Sequence, residues 1–108
     1  MERMTIKPIN QQYIYVIKLI PRLLIAENWT EVEERIVNEH FSYLKEMLSQ
    51  KKLILAGKTD GLNDKTFGIV IFEANSLEKA HEIMNNDPAI IKGIMIGELF
   101  PYRVALSR

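Results

Sequence analysis

Two side chains in this 108-residue sequence combine acid–base chemistry with a constrained position, His40 and Asp87. His40 follows Ile36 by four residues and precedes Leu44 by four, a spacing that sets its ring on or beside the apolar stripe of a helix. Since histidine titrates near neutral pH, it is the natural general acid or base in such a place. The same spacing also suits a boundary histidine that makes a single hydrogen bond to a backbone or carboxylate group.

Asp87 directly precedes Pro88, and a proline biases the residue before it to extended backbone conformations. A carboxylate held in this way can orient an imidazole ring and stabilise its charged form, as the third member of a hydrolytic triad does. The simpler interpretation is an Asx-Pro turn, in which the carboxylate serves only the local backbone. The residues alone leave both interpretations open.

Other polar or aromatic side chains rank below this pair. They are Tyr13, Tyr15, Tyr43, Arg22, Arg35, His81 and Trp29. The tyrosines could line a pocket, with Tyr15 donating a hydrogen bond, although aromatic residues in strands belong more often to the core. The two arginines could bind an anionic substrate, but exposed arginines usually serve only as solvated surface. We expect His81 at a helix boundary and Trp29 in packing beside a helix cap.

The composition argues against several kinds of site. The chain has no cysteine and its two histidines lie 41 positions apart, which is not the ligand spacing of a zinc site, so we predict neither a metal nor a cofactor. Its 14 basic and 14 acidic residues cancel to a formal charge of +0, and we predict no binding to nucleic acid or to a membrane. Glycine-rich phosphate loops and apolar runs of ~20 residues are also missing.

The first ten residues lack the apolar run of a signal peptide, and the lack of cysteine is unremarkable in a reducing compartment. We therefore expect a soluble, cytoplasmic protein. Residues 1–12 follow neither a helical nor a strand period and are predicted to form a weakly ordered arm. Residues 13–108 are predicted to form a single domain.

The elements that would position His40 and Asp87 follow from periodicity and breaker residues. A capping box of Thr30 and Glu33 predicts a helix start, and the following apolar stripe consists of Ile36, Phe41, Leu44, Met47 and Leu48. A second helix is predicted from the Ser76 cap to the residues before Pro88. Strands are predicted over residues 13–20, 53–56, 66–74 and within 94–106, and the first of them is expected to be buried on both faces.

This order predicts an α+β protein with the ferredoxin-like βαββαβ arrangement, in which both helices cover one face of a four-stranded antiparallel sheet. The run from Ile69 to Phe72 is apolar on both faces, so the uncovered face would expose a large apolar patch. We therefore predict a homodimer that packs two sheets face to face. The same fold hosts RNA-binding domains, but Phe67 and Phe72 are five positions apart and would lie on opposite faces.

Taken together, these residues resemble the YciI-like (YCII-related) domain family. The likeness is carried by the segment EHFSYL at 39–44, by LILAG at 53–57, and by Glu73-Ala74, Ser76, Ala80 and Asp87-Pro88. It extends from about Tyr13 to Pro101 and implies a dimeric α/β barrel whose active site lies between helix and sheet. In that family a histidine of the first helix and an aspartate before proline are the proposed acid–base pair, and His40 and Asp87 occupy these positions. Lys58 stands where the family commonly has proline, so the pocket rim is expected to differ.

Two functional hypotheses remain. In the first, the protein is a small lyase or isomerase-type enzyme that uses His40 and Asp87 for an elimination or a proton transfer on an unidentified small molecule. Some relatives are similar to enzymes that remove halide from chlorinated hydroxyquinols. In the second, the protein is a non-catalytic ligand-binding or structural dimer, and His40 only satisfies a buried hydrogen bond.

Overall fold

The computed structural model describes residues 10–108, which contain four strands and three α-helices. They are β1 (Gln11–Leu19), α1 (Glu31–Ser49), β2 (Leu53–Lys58), β3 (Gly68–Ala74), α2 (Leu77–Asn85), α3 (Pro88–Ile91) and β4 (Met95–Pro101). The antiparallel strands take the order β2-β3-β1-β4, which confirms the predicted ferredoxin-like α+β fold. With β2 and β4 at its edges, the sheet is open and does not close into a barrel.

The predicted capping box at the start of α1 is confirmed. The Val32 amide donates to the Thr30 hydroxyl at 3.1 Å, and the Glu33 carboxylate accepts from the Thr30 amide at 2.8 Å. These contacts satisfy amides that the first turn of a helix leaves without partners. They also set where α1 begins, and therefore which of its residues face the sheet.

The predicted stripe of α1 was wrong at two positions. Phe41 and Leu48 are 58% and 57% exposed, whereas Ile36, His40, Leu44 and Met47 are buried. A helix turns by about 100° per residue, so Phe41 lies to one side of the buried face that His40 occupies one residue earlier. The histidine thus lies in the middle of the buried face.

The core lies between the helices and one face of the sheet. Tyr13, Tyr15 and Ile17 of β1 are buried on this face, and the residues between them are only partly buried. Within the single chain the helices cover only one side of β1, so burial of its second face, which the sequence predicts through a partner subunit, stays a prediction. The other side, which we call the outer face, exposes residues of both edge strands, among them Leu55, Ile96 and Phe100.

Two further predictions need correction. The predicted arm over residues 1–12 falls mainly on residues 1–9, which lie outside the described part of the chain, but Gln11 and Gln12 belong to β1 and pair with Ala74 and Glu73. Because both residues are polar, the sequence did not indicate that the strand begins there.

The short helix α3 was not predicted, because its four residues are too few to show a helical period. Within residues 10–108, no helix has both the length and the apolarity needed to cross a bilayer.

Candidate active site

The fold brings the two predicted site residues into contact across 47 positions of sequence. Nδ1 of His40 lies 2.7 Å from Oδ1 and 2.8 Å from Oδ2 of Asp87. His40 projects from the buried face of α1, and Asp87 stands between α2 and α3 with its side chain fully buried. The contact is thus a buried one, in which solvent screens the charges little.

Asp87 serves the backbone and the histidine at the same time. It is the N-cap of α3, and its Oδ1 accepts a hydrogen bond from the Ala89 amide at 2.9 Å. Its Oδ2 accepts from the Tyr15 hydroxyl at 2.8 Å. The local-cap and histidine-orienting interpretations of Asp87 are therefore compatible. Three donors thus converge on one buried carboxylate and supply the hydrogen bonds that a polar group needs when it is removed from water.

Tyr15 is the third member of this network, and it donates a hydrogen bond, as the sequence analysis considered possible. Burial raises the pKa of Tyr15 well above its ordinary value of 10.0, and the nearby Asp87 charge raises it further. The hydroxyl therefore stays protonated and keeps donating to the carboxylate. Burial, with a smaller effect from the Asp87 charge, also raises the pKa of Tyr43 to about 12, and the Tyr43 hydroxyl donates to the carbonyl of Ile83 at 2.6 Å.

The partner of Nδ1 determines the tautomer of His40. An ionised carboxylate only accepts hydrogen bonds, so we assign the ring hydrogen to Nδ1. In the neutral ring Nε2 is then an acceptor, and among residues 10–108 it has no hydrogen-bond partner. One nitrogen is thus held by Asp87, and the other can exchange a proton.

His40 also lines a cavity of about 470 Å³ between α1 and the sheet. Its walls are mostly apolar and include Ile17, Leu44 and Val70. The polar side chains in the lining, within the described residues, are His40, Lys58 and Thr66. A cavity of this volume is of the size that usually holds a small organic molecule.

The remaining candidates have other roles. The Arg22 guanidinium lies 3.4 Å from the Glu33 carboxylate, and neither Arg22 nor Arg35 lines the cavity. His81 is exposed on α2. Trp29 packs as predicted, with its Nε1 donating to the Leu23 carbonyl at 2.9 Å, but it also forms part of the cavity wall.

The sequence reasoning did not identify Thr66 as part of the cavity. Thr66 is buried just before β3, and its hydroxyl accepts a hydrogen bond from the Asn63 amide at 3.1 Å. The sequence places Thr66 at the start of the predicted strand 66–74, whereas β3 begins at Gly68, and a single threonine there has no distinctive spacing that would mark it as part of a site. Lys58 did carry a signal, as the departure from the family pattern.

The fold and the buried histidine–aspartate contact define a small ferredoxin-like protein with a cavity between helix and sheet. The family model of the YCII-related domain matches residues 12–102, so the chain belongs to the YCII-related domain family. A comparison with curated proteins gave no significant match.

Two solved structures are similar in fold. One is 5-chloro-2-hydroxyhydroquinone dehydrochlorinase from Burkholderia phenoliruptrix AC1100 in complex with 2,5-dihydroxybenzoquinone, at 23% identity and a TM-score of 0.64, covering 85% of this chain and 93% of that one. The other is a dimeric ferredoxin-like protein from an uncultured marine organism, at 15% identity and a TM-score of 0.44, covering 92% of this chain and 93% of that one.

Proposed function

We propose that this protein is a small acid–base enzyme in which His40, oriented by Asp87, exchanges a proton with a small molecule bound in the cavity. The observation that carries the proposal is the buried 2.7 Å contact between Nδ1 of His40 and Asp87, with the same histidine lining a cavity of about 470 Å³. A buried, oriented imidazole beside a mostly apolar cavity has the arrangement expected of a general base.

The proposed step begins with a neutral His40 that donates from Nδ1 to Asp87. Nε2 takes a proton from a carbon of the substrate. The electron pair of the broken C–H bond either forms a double bond as it expels a leaving group, or moves an existing double bond, in which case the imidazolium returns the proton to another carbon of the substrate. The Asp87 carboxylate stabilises the imidazolium that forms, as in hydrolytic triads. The reaction is therefore an elimination or an isomerisation, and the base contributes on the order of 10² to 10⁴ in rate.

The first test measures turnover on hydroxylated rings, for which the dehydrochlorinase of similar fold provides two probes, 5-chloro-2-hydroxyhydroquinone and 2,5-dihydroxybenzoquinone. Chloride release reports elimination, and deuterium uptake from D₂O reports proton exchange at carbon. We expect His40→Gln to lower either rate by about 10²-fold or more. His81→Gln, on the exposed side of α2, should leave the rate unchanged.

The alternative function, a non-catalytic ligand-binding module, predicts a different result. A probe would then shift the NMR signals of residues around the cavity without chloride release or deuterium uptake. Full turnover by His40→Gln would also contradict the proposal, because the base would then lie elsewhere.

We also propose that the protein forms a homodimer through the outer face of the sheet. The support is the exposed apolar surface there, which includes Ile96, Phe100 and Leu55. Pairing two such faces would remove apolar surface from water on both chains and would complete the dimeric barrel that the family resemblance implies.

A further inference from the structure

We propose that Lys58 makes the cavity selective for molecules that carry an anionic group, such as a carboxylate or a phenolate, on an apolar body. This assignment rests on the proposed function for the role of the cavity and names the substrate class. Lys58 is not part of the His40–Asp87 contact. It reaches the cavity from the end of β2 in the sheet, whereas His40 reaches it from α1.

The register of the sheet explains why Lys58 reaches the cavity. Lys58 pairs with Gly68 on β3, and Gly68 pairs with Ile17 on β1, so the three residues form one row across the sheet. Residues in such a row point to the same face, and Ile17 belongs to the core beneath the helices. The Lys58 side chain therefore lies on the same side of the sheet as His40.

The charge of Lys58 is not balanced by a neighbouring acid. Its Nζ donates to the carbonyl of Thr59 at 2.7 Å, which is a neutral acceptor, and within residues 10–108 it forms no ion pair. Among the described lysines, Lys79 and Lys92 pair with Glu82 and Glu39, several others are unpaired like Lys58, and Lys58 is the one that lines the cavity. An ammonium group has three donors, so Lys58 can bind an anion without giving up its backbone contact.

The lining of the cavity has a positive character. Among the described residues it contains two basic side chains, His40 and Lys58, and no aspartate or glutamate. Asp87 balances the charge that His40 would take up, because the two groups are in contact. Lys58, an exposed residue at the edge of the cavity, is thus the charged group of this lining that has no acidic partner among residues 10–108.

The apolar part of the lining indicates which kind of body the bound anionic molecule has. Phe41 and Phe67 border the cavity and are themselves partly open to solvent, while Ile17 and Val70 form buried wall. Flat apolar bodies such as one or two aromatic rings suit these surfaces. A ring held there would place its anionic group at Lys58 and another of its atoms toward His40.

The test compares matched anionic and neutral probes for binding to the full chain. The pairs are benzoate with benzamide, phenylacetate with phenylacetamide, and 2-naphthoate with 2-naphthamide, followed by calorimetry and by the NMR signals of the His40 imidazole. We expect the wild-type protein to bind at least one anion about tenfold more tightly than its amide. Lys58→Met should abolish the preference and Lys58→Arg should keep it. Lys65→Met, a matched control outside the lining, should leave it unchanged.

Equal affinity for anion and amide in all three pairs, or no binding of any probe, would overturn the assignment. So would an anion preference that survives in Lys58→Met. None of these results depends on turnover, so the proposed function would still be judged by His40→Gln. The two proposals can also separate in the other direction. If only Lys58→Met lost the preference for anions over amides, the anion site would be supported, and if His40→Gln kept full turnover, the proposed catalytic role of His40 would be contradicted.

Discussion

The Asp87 carboxylate accepts hydrogen bonds from three different parts of the chain: the His40 ring on α1, the Tyr15 hydroxyl on β1 and the Ala89 amide of α3. Each donor limits the positions that the carboxylate can take. Tyr15 is itself held by an edge-to-face contact with Phe72, whose ring centroid lies 5.7 Å away. We infer that Tyr15 is a positioning residue that acts on His40 through Asp87.

Tyr15→Phe tests this role, because it keeps the ring and removes only the donor. Leaving a buried carboxylate short of one partner should lower the free energy of unfolding by about 1–3 kcal/mol, measured by urea denaturation. It should also lower kcat several-fold with little change in KM, which loss of stability alone would not cause. The control is Tyr13→Phe on the same buried face of β1, whose hydroxyl, within residues 10–108, reaches only Gln11 Oε1 at 3.4 Å. Equal effects of the two substitutions on kcat would contradict the positioning role.

The helix α1 carries His40, and its start is determined by the capping box of Thr30 and Glu33. Hydrogen bonds from the Thr30 hydroxyl and amide lower the pKa of Glu33 from 4.5 to about 2, and the Arg22 guanidinium adds a smaller effect. A carboxylate near the N-terminus of a helix also interacts favourably with the helix dipole. The charged form of Glu33 therefore stabilises the element that holds the histidine.

The lowered pKa predicts a pH-dependent effect of Glu33→Gln. A carboxylate whose pKa is lower in the folded state stabilises the protein above its unfolded pKa and loses that contribution as pH falls through its folded pKa. We expect the variant to have a lower Tm than the wild type at pH 7, and the difference to shrink between pH 4.5 and about 2. Thermal unfolding followed by circular dichroism measures it. Glu34→Gln, at an exposed position of the same turn, is the control, and a Tm difference that stays constant with pH would contradict the prediction.

Residues 10–108 form a sheet with helices on one face and a largely apolar outer face on the other. Ile14, Val16, Ile69 and Ile71 face outward in the middle of the two central strands, with the charged residues Lys18 and Glu98 toward one end of this face. A two-fold interface of this kind is self-complementary, since the same patch serves both chains. A stable interface buries more than about 1,000 Å² in total, so the proposed dimer needs most of the four-stranded face.

Phe100→Glu tests the homodimer. Phe100 is 41% exposed on the outer face of β4, where it pairs with Ile14, and a charge there would have to be buried among apolar side chains in the paired sheets. We expect the wild type to sediment as a dimer at micromolar concentration and the variant to shift to monomer. Ile91→Glu, with the original side chain 61% exposed on the short helix α3, should leave the dimer intact. A wild-type protein that sediments as a monomer would refute sheet-to-sheet packing.

Local signals in the sequence were enough to predict most of the fold. The capping box, the β-branched run before Ala74 and the Ser76 cap each act over a few residues, and the structure has an element at each of them. The errors arose where the local signal was weak or ambiguous. The predicted apolar stripe of α1 included Phe41, which is exposed. The four residues of α3 were too few to show a helical period.

The sequence by itself predicted the four strands, the two longer helices and their order, and it singled out His40 and Asp87, which the family resemblance pairs as the expected acid and base. Only the tertiary structure decided that the pair is in contact, that Tyr15 completes it, and that Lys58 faces the same cavity. The physical reason is distance along the chain. Helices and strands depend on neighbours a few residues apart, whereas Asp87 lies 47 residues from His40 and 72 from Tyr15, so their contacts depend on how the helices pack on the sheet.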